Sequence, residues 1–446
     1  MESSRGTLKR SLGVVPIVFL GLAYMSPFAV FDTFGVVSNE THGHVPASYI
    51  LITIAVLFTA LSYGKMVKIF PEAGSAYTYT KKTMNPQLGF LVGWSALLDY
   101  LFLPMINALL AGIYLSASFP SVPAWVWILG LILTITIMNI SGVKIAVNAN
   151  MLFVLFQLLV AILFVVLTIR AIINDDGISG FALNPFYSED IKLSLLFSGA
   201  SILALSFLGF DAVTTLAEET ISPEKNIPKG IFLIAFVGGI FFITMTYFMQ
   251  SLYPDVSVIK DIEGASPVIA KHIGGILFQS IFTSGALVSV LASGLASQMS
   301  ASRLMYAMGR DGVLPRKWFG YLDKKTQTPI FNLIFIGLLS LSALFLDLVV
   351  ATSLINFGAF TAFSFVNLSV LMYYVKNKQR MKRTSFIGYV IFPVIGLAFL
   401  IYLWFSLDQL AILFGLSWFT IGFGLLLWIT KGFKVKPPEY QFVENN

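Results

Sequence analysis

The sequence predicts an all-α polytopic membrane protein with twelve transmembrane helices. Of its 446 residues, 57% are hydrophobic and only 11% are charged, a composition far more apolar than that of a soluble domain. Apolar segments long enough to cross a bilayer recur along the whole chain, without the alternating pattern of a membrane β-barrel. The connections between them are short, so we expect one membrane domain spanning residues 1–446.

The helices are predicted from apolar stretches that end at glycine, proline or charged residues. The first five cover residues 12–37, 47–69, 88–118, 124–140 and 146–169. The sixth follows a loop at 174–190 and contains the stretch 205–219. The rest cover 231–252, 274–302, 330–346, 349–374, 387–406 and 410–429, with a polar connection at 303–329.

Two of the predicted helices are interrupted near their middle, the first and the sixth. Pro27 lacks an amide hydrogen, so the first helix breaks within residues 24–28, at Tyr24-Met25-Ser26-Pro27-Phe28. Gly209 allows the sixth helix to unwind. The breaks are five helices apart, which suggests two inverted five-helix repeats at about 12–170 and 192–374, followed by two helices at 387–429.

The basic residues indicate the orientation of the chain. Its formal net charge is +6, and 24 of its 28 lysines and arginines fall in alternate loops on one side of the predicted membrane. By the positive-inside rule that side is the cytoplasm, and both termini lie there. This distribution argues for a multi-pass protein of the inner or plasma membrane, with the lipid bilayer and no nucleic acid as partner.

Three carboxylates fall well inside predicted helices, Asp32, Asp99 and Asp211. A carboxylate in mid-membrane costs roughly 2.5 to 3.5 kcal/mol on insertion scales, so such acids face a cavity, a partner or a ligand. No lysine or arginine lies deep in a predicted helix to neutralise them. A ligand or a proton therefore has to supply the positive charge, and an organic ammonium ion would satisfy this.

The remaining candidate substrate-binding residues surround the helix breaks or provide aromatic faces for a cation and its alkyl chain. They are Tyr24, Ser26, Trp94, Tyr100, Phe207, Gly209 and Phe210. We expect Asp211 and Asp99 to be ligand or proton sites, and we assign a gating or structural role to Pro27, Glu218 and Glu219. The two glutamates are expected to organise the cytoplasmic ends of helices by reaching the interface.

Other readings remain open for two of the aspartates. Asp99 could be a protonated structural acid bonded to a hydroxyl such as that of Ser95, and Asp32 could cap a helix or line an outer vestibule. The chain has no cysteine and three histidines, all in predicted outer loops, and it contains no nucleotide-binding or hydrolase motif. We therefore expect no enzyme activity, no metal and no cofactor.

Several strings resemble the amino acid, polyamine and organocation (APC) transporter superfamily, over nearly the whole chain. They are PEAGSAYTY, GFLVGW, LGFDAVTTLAEET, NIPKGI and SRLMYAMGRDGVLP, in the order that the family shows. Within the family, the proton-coupled putrescine importers are the most similar, through GLAYMSPFAVFDTFG, VGWSALLDYLFLPMIN and INFGAFTAFSFVNLS.

This resemblance implies a LeuT-like 5+5 inverted repeat with a substrate site between the broken helices and the third helix. It also implies that Asp211 contacts the substrate amine. Some proton-coupled relatives carry a lysine in the fifth helix where this chain has Gln157. Amino acid transporters of the family hold the substrate carboxylate on a glycine-rich segment of the first helix. The matching segment here, YMSPF at residues 24–28, has no GxG and is followed by Asp32, which suits a second ammonium. We therefore expect import of a putrescine-like diamine by proton symport, with a cationic amino acid or amine exchanger, or a channel, as alternatives.

Overall fold

A computed structural model describes residues 10–119, 121–174, 181, 183–189, 191–259, 262, 265–346, 348–382, 385–405, 407 and 409–438. These residues are largely helical. The α-helices are α1 (Val14–Met25), α2 (Ala29–Glu40), α3 (Val45–Ile69), α4 (Ser75–Thr83), α5 (Pro86–Ser118), α6 (Ala124–Ile140), α7 (Val143–Ile173), α8 (Leu193–Leu203), α9 (Pro223–Leu252), α10 (Ala265–Asp311), α11 (Arg316–Phe319), α12 (Ile330–Ser340), α13 (Leu348–Asn377), α14 (Phe392–Phe405) and α15 (Gln409–Ile429).

The helices confirm a polytopic membrane architecture. In the described part of the chain, nine helical segments are long and apolar enough to cross a bilayer, and the bent pair α1 and α2 makes a tenth. The shorter apolar helices α6 and α12 match the fourth and ninth predicted helices. The total of twelve spans stays a prediction.

The first predicted break is confirmed. Helix α1 ends at Met25 and α2 begins at Ala29, and the two meet at an angle of 44°. Ser26 closes α1 with a φ of 57°, and its amide donates to the carbonyl of Leu22 at 3.0 Å. Pro27 follows directly, where a helix would need the amide hydrogen that proline lacks.

The second predicted break is also confirmed, with a tighter local structure than a bent α-helix. Helix α8 gives way to a 3₁₀ turn at Ala204–Phe207, and a second 3₁₀ segment covers Ala212–Glu219. Gly209 lies between them with a φ of 92°. The chain thus unwinds from its α-helical path for most of the stretch that carries Asp211.

Helices α5 and α10 bring other parts of the chain to these breaks. Helix α5 packs against α10, α13 and α4, while α10 also packs against α1. Helix α4 forms in the connection between the second and third predicted helices. The amides of Ser11 and Leu12 donate to the carbonyl of Glu219 at 2.8 and 3.1 Å, and the amide of Ile221 donates to the carbonyl of Leu12 at 2.9 Å.

Several predicted boundaries were wrong. The seventh helix was predicted to begin at residue 231 and the eighth at residue 274, whereas α9 begins at Pro223 and α10 at Ala265. The eighth predicted helix ended at residue 302, which placed Arg303 in an inner loop, whereas α10 continues to Asp311. Arg303 lies within this helix with a side chain only 1% exposed. A long basic side chain therefore does enter the helical body, although none was expected there.

Candidate functional site

The two helix breaks meet at Tyr24 and Gly209. Tyr24 is the last residue but one of α1 and is buried. A Cβ added to Gly209 would collide with the Tyr24 ring, and the left-handed backbone at Gly209 independently favours glycine. Glycine therefore lets the unwound part of one broken helix lie directly against the end of the other.

Two serines of α10 bind the first break, one through its backbone and one through a side chain. The Ser293 hydroxyl donates to the carbonyl of Tyr24 at 3.1 Å. The Ser26 hydroxyl is hydrogen-bonded to that of Ser289. A carbonyl freed by a helix break is costly inside a membrane unless it finds a partner, so these contacts make the interruption of α1 tolerable. In the structure Ser26 and Pro27 therefore form the break between α1 and α2.

Asp211 is buried directly after the second break, with a side chain anchored on one oxygen only. Its Oδ2 accepts a hydrogen bond from the Tyr100 hydroxyl at 2.8 Å and a longer one from Ser75 at 3.5 Å. Its Oδ1 is buried without a hydrogen-bond partner. No described lysine or arginine forms an ion pair with it. Because an unsatisfied buried carboxylate oxygen is costly, this atom is suited to receive a ligand's N–H.

Asp99 is the second buried acid of the site. It is 2% exposed, its Oδ1 lacks a partner, and its negative charge interacts electrostatically with that of Asp211. The hydroxyl of Ser95 also lacks a partner, so the hydrogen bond to Ser95 considered above is not present. Two buried carboxylates that interact electrostatically without a cation favour a positively charged ligand or a proton.

Aromatic side chains surround these acids. The rings of Tyr24 and Tyr100 meet edge to face with centroids 6.2 Å apart, and the Tyr24 hydroxyl is buried without a partner. Phe210 packs against Tyr63 at 5.8 Å and Phe363 at 5.1 Å. The site thus combines negative charge with aromatic faces, both of which attract organic cations.

Three other candidates lie away from this group. Asp32 is exposed on α2 and accepts a hydrogen bond from Tyr114 at 3.1 Å. Phe207 packs into the apolar core against Tyr49 and Phe242. Trp94 stacks on Trp418 of α15 at 4.6 Å, and each indole N–H donates to the other residue's carbonyl, at 2.9 and 2.7 Å. The structure therefore engages Phe207 and Trp94 in packing between helices.

Charged pairs surround Glu218 and Glu219, and the expectation for Glu219 needs correction. Glu219 is buried rather than extended to the interface, and it accepts hydrogen bonds from Arg303 at 2.7 and 3.4 Å. Glu218 pairs with Arg310 at 2.7 Å. Lys81 of α4 pairs with Asp311 at 2.5 Å. These pairs join α4, the 3₁₀ segment and α10 into one layer.

Sequence reasoning assigned no role to Ser75, although it lies in the quoted string PEAGSAYTY. Its contact with Asp211 arises because α4 folds back beneath the break, which no local pattern revealed.

Gln157, the position of the lysine in some relatives, is fully buried on α7, and neither atom of its amide has a hydrogen-bond partner.

Comparison with known proteins gives the family. The family model described as amino acid permease matches residues 17–428. This chain belongs to the amino acid permease family. It is 43% identical over 444 residues to the low-affinity putrescine importer PlaP of Escherichia coli K12, covering 99% of this chain and 98% of that protein. The membership makes it a membrane transporter of the APC superfamily and not an enzyme.

More distant members of the family differ in their named substrates. The branched-chain amino acid permease BcaP of Bacillus subtilis is 26% identical over 448 residues, with 94% of this chain and 93% of BcaP covered. The vacuolar cationic amino acid transporter 4 of Arabidopsis thaliana is 26% identical over 385 residues, with 82% of this chain and 63% of that protein covered.

Proposed function

We propose that this protein imports putrescine or a similar aliphatic diamine across the cell membrane. The observation that carries the proposal is the pair of buried acids, Asp211 and Asp99, each with one carboxylate oxygen that lacks a partner and neither paired with a described cation. The 43% identity to a putrescine importer supports the same substrate class. A dicationic substrate supplies the charge that the site lacks.

In this proposal the two ends of the substrate bind separate acids. One ammonium donates to the free Oδ1 of Asp211, and the other binds Asp99 or, toward the outer side, Asp32. Tyr100 and Tyr24 then lie against the tetramethylene chain. Entry of two positive charges into an inside-negative cell gains about 4.6 kcal/mol per 100 mV, which is twice the single-charge value.

Proton symport is the coupling that we propose. Two interacting carboxylates in a buried site hold one proton more readily than two negative charges. One of these two acids, Asp211 or Asp99, would carry the coupled proton while the other binds a substrate ammonium, so that proton and substrate enter and leave together. Gln157 cannot act as a titrating cation in place of a lysine, which leaves this task to the acids.

The architecture that fits this cycle is a LeuT-like pair of inverted five-helix repeats with two further helices. We propose that both termini lie in the cytoplasm, as the loop charges predict. Alternating access then opens the site to each side in turn around the breaks at Pro27 and Gly209. The pairs made by Glu218 and Glu219 form the inner gate.

Uptake of radiolabelled putrescine into proteoliposomes tests the proposal. Asp211→Asn should abolish saturable uptake, while Glu189→Gln, which removes an acid at an exposed position, should leave it unchanged. Near-normal uptake by Asp211→Asn would contradict the assigned role.

Competition tests the substrate class. Unlabelled cadaverine should displace putrescine better than lysine or arginine does, and the opposite order would favour the cationic amino acid exchanger. Saturation and counterflow in the same vesicles separate a carrier from a channel, which shows neither.

A further inference from the structure

A groove lies between α7 and α10, at the membrane surface where α7 ends. It encloses a cavity of about 450 Å³, and we call it the α7–α10 groove. Arg170 from the last turn of α7 and His272 from α10 line its polar part. Leu163, Leu167 and Ile281 line its apolar part.

The groove faces lipid rather than the interior of the protein. Neighbouring side chains of α7, such as Leu159, Ile162 and Val166, are largely exposed, and so is Leu277 of α10. Exposed apolar residues at helical spacing on a membrane helix contact the acyl chains of lipids. A lipid molecule can therefore enter the groove sideways, without passing through the transport path.

The polar and apolar parts of the groove lie at depths that match the headgroup and the acyl chains of a phospholipid. Leu167 and Leu163 lie three and seven residues before Arg170 on α7, which places them roughly 5 and 10 Å deeper in the bilayer at the rise of an α-helix. Arg170 is three residues from the end of α7 at Ile173, the depth at which basic side chains meet headgroups. The described residues that line the groove include no acid.

The backbone of α10 adds a further preference for an anion. Gly275, which lines the groove, has a φ of 66° and interrupts the helical path, so α10 restarts after it. The first amides of a restarted helix lack intrahelical acceptors and carry partial positive charge. Beside them, Nδ1 of His272 is bonded to the Tyr253 hydroxyl. When that hydroxyl donates, the remaining proton of the neutral ring sits on Nε2 as a donor.

We propose that the α7–α10 groove binds an anionic phospholipid. Arg170 and His272 hold the phosphate, and one acyl chain lies along Leu163 and Leu167. Basic pockets between transmembrane helices recognise anionic headgroups through charge-assisted hydrogen bonds. The site does not depend on which substrate the protein transports.

Native mass spectrometry of the purified full chain tests the preference, with phosphatidylglycerol and phosphatidylcholine of identical acyl chains as probes. The wild type should retain phosphatidylglycerol preferentially, and the double variant Arg170→Gln/His272→Gln should lose that preference by about tenfold. Lys271→Gln removes an exposed neighbouring charge that does not line the groove, and it should behave as wild type. Equal retention of both lipids by the wild type, or an unchanged preference in the double variant, overturns the proposal.

Two further measurements use the wild type alone, so that a poorly folded variant cannot mask the answer. A photoactivatable phosphatidylglycerol with its reactive group in the acyl chain should label residues 163–167 or 277–281. Labelling spread evenly over all lipid-facing helices would overturn the site. sn-Glycerol 3-phosphate should not displace the lipid, and displacement at comparable concentration would show a site for a soluble phosphate instead.

Discussion

Removing the charge of Glu219 should open the inner side of the protein. Glu219→Gln leaves Arg303 buried with only neutral partners among its described contacts, the Met299 carbonyl at 3.3 Å and the Ser302 hydroxyl at 3.0 Å. Breaking a buried ion pair in this way costs about 3–5 kcal/mol. When the proposed inner gate opens, water reaches the Arg303 guanidinium. Loss of the ion pair therefore destabilises mainly the closed state. The ratio of open to closed protein should then rise roughly a hundredfold to a few thousandfold.

Alkylation of a single introduced cysteine measures this ratio. The chain contains no cysteine, so the introduced cysteine reacts without background. Maleimide labelling of this cysteine in membrane vesicles should be faster by about tenfold or more in Glu219→Gln. Adding Arg303→Gln to Glu219→Gln removes the stranded charge and should return the rate toward that of the parent.

Glu72→Gln is the matched control. It breaks the neighbouring pair with Lys82, whose side chains are 25% and 27% exposed. Exposed ion pairs contribute about 0–1 kcal/mol, so its labelling rate should stay close to that of the parent. If Glu219→Gln and Glu72→Gln label at the same rate, the buried pair does not hold the inner side closed, and the reasoning fails.

Two further predictions concern the site itself. Tyr100→Phe removes the donor to Asp211 Oδ2 at 2.8 Å, and a hydrogen bond to a charged group contributes about 1.5–3 kcal/mol. The half-saturation concentration for putrescine uptake should rise roughly tenfold or more, and an unchanged value would exclude this contact. Gly209→Ala adds a Cβ that collides with the Tyr24 ring at a left-handed backbone position. Its thermal unfolding temperature and its uptake should both fall, whereas Gly130→Ala, with open space around the added carbon, should change neither.

The helix breaks could be predicted because their causes are local. Pro27 lacks a donor wherever it stands, and Gly209 tolerates a backbone that other residues avoid. The burial of Asp211 could be predicted in the same way, because a carboxylate between long apolar stretches avoids lipid and faces the interior of the protein. The family resemblance then added the expectation that the third helix, with Asp99 and Tyr100, faces the first and the sixth.

Contacts between distant segments could not be predicted in this way. Arg303 was placed in a loop because the charges after residue 302 suggested a helix end, whereas its partner Glu219, 84 residues earlier, allows the helix to continue. Trp94 was proposed as a substrate contact from its place in the third helix. Its pairing with Trp418 depends on how α15 packs, and no pattern near Trp94 indicates that.

The backbone pairing of Leu12 with Glu219 and Ile221 makes the leading segment a tether on the inner half of the broken sixth span. Any tilt of that half-helix must either break these hydrogen bonds or drag the segment with it. In the alternating-access cycle proposed above, a bulky fusion ahead of Ser11 would therefore hinder this half-helix, whereas a fusion at the other end of the chain would not act through these bonds.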